Sequence, residues 1–108
     1  MSFLAVFFAG VFLCNSIPHL SSGLRGVPFP TPFAKPRGVG DSPPVINFVW
    51  GAFNMFVGAI LYSLHPFVAG LNAEFLVFFV GALLIGLVLA VHFGKVQSQK
   101  RAATNFGR

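Results

Sequence analysis

Residues 43–66 read PPVINFVWGAFNMFVGAILYSLHP. No acid, lysine or arginine interrupts this stretch, and at a rise of about 1.5 Å per residue it is long enough to cross a hydrocarbon core of about 30 Å. Both ends carry punctuation. Ser42 offers a capping hydroxyl before Pro43, and proline is tolerated in a first helical turn. At the far end Pro66 biases His65 away from helical geometry. The reading is a membrane-crossing helix from about residue 43 to 64.

Within that helix Asn47, Gly51, Asn54 and Gly58 recur at intervals of four, three and four, which puts them on one face. Lipid offers no hydrophobic drive to separate one helix face from another. Small and polar residues therefore mark where helices pack. Asn54 lies deep in the apolar stretch, and a buried amide there is costly unless it finds hydrogen-bond partners.

Working outward, a shorter apolar run from about residue 2 to 17 precedes Pro18 and His19 and predicts a first helix near the lower length limit for a span. The start MSFLAVFF lacks the basic region of a secretion signal, so this helix is expected to be retained. Residues 18–42 are dense in glycine and proline and predict a loop. Phe29 and Phe33 are expected to pack on the helices or to enter the interface. A third helix is expected over about residues 73–93, capped by Asn72, with Glu74 favoured in its first turn. Ala82, Gly86 and Ala90, spaced by four, form a small-residue packing stripe along it. The basic tail 94–108 is expected to fray.

Composition agrees with a lipid-facing chain. Of 108 residues, 56% are hydrophobic and 8% charged, against roughly a quarter charged in ordinary soluble domains. The net charge of +5 is concentrated beside the apolar runs, where anionic lipid headgroups explain it better than nucleic acid. Arg25, Lys35 and Arg37 lie in the first loop, and Lys95, Lys100, Arg101 and Arg108 lie in the tail. The connection between the second and third helices carries neither Lys nor Arg. With three spans, the excess of positive charge on the inner side places loop and tail in the cytoplasm and the N-terminus outside. The sequence thus predicts an all-α, single-domain, multi-pass membrane protein with three transmembrane helices. A bacterial inner membrane is its most economical address.

This orientation gathers polar residues at one depth. Asn15 and His19 end the first helix, Asn47 starts the second and His92 ends the third. Together they predict a pocket, open to the cytoplasm near Ser42 and Arg25, suited to an anion, a headgroup or a quinone-like ligand. Axial ligation of haem b by His19 and His92 is a further alternative, because neutral imidazole is a good iron ligand. No other cofactor is expected. The single cysteine, Cys14, allows no intramolecular disulfide. There is no intramembrane acid pair, no metal-ligand spacing and no phosphate-cradling motif, so no enzyme activity is predicted. In length the chain resembles the small multidrug resistance transporters. Those have four spans and an acidic residue in the first helix, where this chain has apolar residues and Asn15.

Three functions follow as expectations. The first is an accessory or structural subunit, associating with itself or with a larger membrane protein through Gly51, Gly58, Ala82, Gly86 and Ala90. The second is an oligomeric channel or transporter with Asn47 and Asn54 lining its path. The third is a haem- or quinone-binding module built on the histidine-bearing end.

Overall fold

The computed structural model describes residues 2–106. Three helices, α1 (Phe3–Leu24), α2 (Pro44–Leu64) and α3 (Ala73–Phe106), are each long and apolar enough to cross a membrane. They form an elongated body of 55 × 24 × 21 Å. Helix α1 is the middle member: α2 and α3 both pack along it and scarcely meet each other. Two short strands, β1 (Phe29–Pro30) and β2 (Asp41–Ser42), pair antiparallel with Phe29 opposite Ser42, and this hairpin closes the loop between α1 and α2.

Helix α1 does not stop at residue 17. It runs through Pro18 to Leu24, about 33 Å at the helical rise. Proline removes one backbone donor, but unwinding here would leave many more backbone groups unpaired between apolar neighbours, so the continuous helix is the cheaper solution. Close packing on both sides supports it. A Cβ on Gly51 of α2 would lie 2.7 Å from the Leu20 nitrogen, beyond the expected end of the helix. At the N-terminus Ser2 caps α1 by accepting from the Ala5 N–H.

Helix α3 also exceeds its expected length. The tail continues as helix to Phe106, and only its last two residues, 107–108, lie outside the described residues. Gly94 costs a helix only about 1 kcal/mol relative to alanine. Past it, Val96 is buried and Lys100 pairs with Asp41 of the hairpin at 2.8 Å. These contacts hold the extension against the loop. At the other end Asn72 caps α3 as expected, its Oδ1 accepting from the Phe75 N–H at 2.9 Å.

The seam between α1 and α2 uses the small and polar face of α2: Asn47, Gly51, Asn54 and Gly58 are its buried residues. The seam between α1 and α3 differs from the expected stripe. Its closest backbone approach is at Gly10 and Gly81, where an added Cβ would collide with the carbonyl oxygens of Phe78 and Phe7 respectively. Ala82 flanks that contact and Gly86 faces Cys14, but Ala90 is exposed. The contact line is rotated by about one residue because Gly10 and Gly81, each set against the backbone of the facing helix, fix the closest approach.

Candidate functional site

At the end of the bundle where α1 finishes and α2 begins, the loop folds back over the cleft between α2 and α3. Helix α1 supplies the floor through Asn15 and His19, one turn apart, and the hairpin supplies the roof through Pro30, Thr31 and Pro32. Trp50 of α2 and Leu89 and Phe93 of α3 form the walls, and Arg37 and Gly38 complete the rim. The cleft, partly open to its surroundings, has a volume of about 290 Å³.

Asn47 organises this end. Its Nδ2 donates to the carbonyl oxygens of Phe29 at 2.9 Å and Ser42 at 3.1 Å, one on each strand of the hairpin. Carbonyl oxygens only accept, so this amide orientation is fixed by its neighbours. The Asn47 Oδ1 is thereby turned toward His19 Nδ1, 2.8 Å away. One fully buried side chain thus ties together α1, α2 and both strands. Ser42, expected to cap α2, instead bonds through its hydroxyl to Thr31 across the hairpin, leaving Pro43 as the N-cap residue without a side-chain bond.

A second amide pair lies deeper. Asn54 donates from Nδ2 to the Trp50 carbonyl at 2.8 Å and accepts at Oδ1 from Asn15 Nδ2 at 2.9 Å. Both asparagines of α2 therefore face α1 of the same chain. The surface offered outward by α2 is apolar, with Val49, Phe53 and Phe56 exposed.

His19 is 2% exposed and has three aromatic rings edge-on around it, with centroids at 5.7 Å for Phe29, 6.4 Å for Trp50 and 6.2 Å for Phe93. His92, its expected partner, occupies a different face of α3. Its Nε2 donates to the Gly38 carbonyl at 2.7 Å, latching the loop to α3 from outside. Gly38 makes this turn with φ at +69°, a conformation that L side chains resist. Successive helical residues point about 100° apart, so the inward place belongs to Phe93. The bis-histidine arrangement of the haem alternative is not assembled, and no cluster of three metal-binding side chains occurs among the described residues.

The predicted gathering of Asn15, His19 and Asn47 is therefore present, with His92 at its margin. The cation at the rim is Arg37 rather than Arg25, whose Nε turns back to the Ser21 carbonyl at 3.2 Å. Sequence reading missed Trp50, Phe29 and Phe93. Trp50 was within reach: it follows Asn47 by three residues and precedes Asn54 by four, the spacing that shares their face. Phe29 reaches the site through the fold of the loop and Phe93 through the packing of α3 on α1, neither of which periodicity encodes.

A second, apolar groove of about 460 Å³ lies on the outer side of α2, lined by Phe33, Ile46, Val49, Trp50 and Phe53. Trp50 is the wall shared with the polar cleft. The fold and site define a class, a three-helix bundle of membrane-spanning length with a loop-capped polar cleft at one end. Comparison of the chain with protein-family models, curated proteins and solved structures gives no match.

Proposed function

We propose that the chain is a multi-pass membrane protein that binds a small ligand in the loop-capped cleft, with the N-terminus outside and the loop and basic tail in the cytoplasm of a bacterial inner membrane. The observation that carries this reading is His19. Its ring is buried and oriented by Asn47, the residue lines the cleft, and its second nitrogen has no bond from the described residues. An acceptor on a ring already oriented by Asn47, in a residue that lines the cleft, suits a ligand that donates to it. The docking of Lys100 on Asp41 and of His92 on Gly38 puts tail and loop at one end of the bundle, in keeping with their common basic character.

A second reading, an accessory subunit or homo-oligomer, draws on the open arrangement of the helices. Helix α3 meets α1 along a narrow line and leaves Leu83, Leu87, Val88 and Val91 exposed, a surface that fits a partner helix as well as lipid. A channel between subunits lined by Asn47 and Asn54 draws no support from a face that α1 covers.

Native mass spectrometry of the protein released gently from its own membrane separates these readings. The expected result is the chain with a retained small molecule. A fixed complex with another protein and no small molecule would replace the binding module with the accessory subunit.

A further inference from the structure

The orientations of two amides decide what the cleft can hold. Each is fixed by a backbone carbonyl that can only accept: Phe29 and Ser42 fix Asn47, and Trp50 fixes Asn54. Asn47 then presents oxygen to His19 Nδ1, so in the neutral ring Nδ1 carries the hydrogen and Nε2 keeps its lone pair. Asn54 presents oxygen to Asn15, so Asn15 spends an N–H on it. The Asn15 Oδ1 has no bond from the described residues. Asn15 and His19, one helical turn apart, both line the cleft, and each keeps one acceptor without a bond from the described residues, Asn15 Oδ1 and His19 Nε2.

Acceptors select a ligand that brings donors. Donors soluble in lipid are hydroxyls or amines, and Arg37 at the rim, in a chain of net charge +5, disfavours an ammonium. The walls select shape. Trp50 and Phe93 with Pro30 and Pro32 suit a flat ring, and about 290 Å³ is ample for a substituted one.

We infer that the cleft binds the hydroxylated aromatic head of a lipid-soluble molecule, of the hydroquinone or phenol class, with its hydroxyls donating to His19 Nε2 and Asn15 Oδ1. An apolar tail leaving past Trp50 lies in the groove formed by Phe33, Ile46, Val49 and Phe53. This inference rests on the binding function proposed above and adds the ligand's chemistry: the reduced, hydroxyl-bearing ring is preferred over a ring that only accepts.

Trp50 is the only tryptophan of the chain and a wall of the cleft, so its emission reports occupancy. The full chain in detergent is titrated with decylhydroquinone under reducing conditions and, separately, with its dimethyl ether, which keeps ring and tail but has no donor. The expected result is a saturable change with the hydroquinone and at least about tenfold weaker binding of the ether, the scale of one net hydrogen bond. Equal saturable binding of both would overturn the donor preference while leaving a binding cleft in place. A change that never saturates with either would overturn the cleft as a binding site and the inference with it. In His19→Phe, checked for helicity by circular dichroism, the preference should collapse. A folded variant that keeps the preference would remove His19 as the acceptor, and should this variant not fold, the comparison of the two compounds on the native chain still decides.

Discussion

His19 Nδ1 and Asn47 Oδ1 lie 2.8 Å apart, joining the end of α1 to the start of α2 across a gap of 28 residues in sequence. Because the other end of the same amide holds both strands of the hairpin, one side chain couples helix packing to loop closure. That coupling makes the cleft a property of the folded helices.

Replacing Asn47 by leucine should therefore do more damage than losing a single bond. It leaves the buried His19 N–H and the Ser42 carbonyl without this partner, each costing about 1–3 kcal/mol, and removes a bond to the half-buried Phe29 carbonyl as well. The expected outcome is a clearly lower thermal-unfolding midpoint in detergent, together with faster proteolysis of the loop around Lys35 and Arg37. An unchanged midpoint would mean that the amide does not hold the hairpin.

The helix seam makes a prediction that the small-residue stripe does not. Gly10→Val or Gly81→Val drives a side chain into the backbone of the facing helix, where overpacking costs about 1–3 kcal/mol or more. Ala90→Val, on an exposed position, should be neutral within about 0.5 kcal/mol. Thermal unfolding of the three variants side by side tests the rotation of the contact line, and equal sensitivity at position 90 would refute it.

The docked tail can be checked covalently. In a Cys14→Ala background, the double variant Asp41→Cys and Lys100→Cys should be joined rapidly by a short bis-maleimide, because the native side chains touch at 2.8 Å. A fraying tail would give slow and incomplete joining. Asp41→Asn alone should change stability by less than about 1 kcal/mol, as is usual for an exposed pair.

Orientation is open to a direct measurement. A reporter fused to the C-terminus is expected to read cytoplasmic, and one fused to the N-terminus external, as the basic loop and tail require. A periplasmic or luminal readout at the C-terminus would reverse the side of the membrane to which the cleft opens.

Much of the architecture was legible because membrane-spanning helices are local objects: each satisfies its own backbone, and length and apolarity suffice to find it. The packed face of α2 was legible for a related reason, since Asn47, Gly51, Asn54 and Gly58 are informative only by contrast with their apolar neighbours. Two local signals misled. Pro18 suggests a stop, and Gly94 with its polar successors suggests fraying, yet α1 continues to Leu24 and α3 to Phe106. Propensity is a preference of a fraction of a kcal/mol to about 3 kcal/mol per residue, and packing against neighbouring elements outweighs it.

The sequence by itself determined three apolar spans, a proline-rich loop, the end of the bundle where polar residues collect and the inward face of α2. Only the tertiary structure decided that α1 stands in the middle, that Gly10 meets α3 at Phe78 and Ala82, that Phe93 and not His92 faces His19, and that Asn15 and His19 line a cleft beneath the hairpin. These are facts about rotation and orientation between elements distant in sequence. They follow from steric fit and from which amide end meets a carbonyl, and periodicity along one chain carries neither.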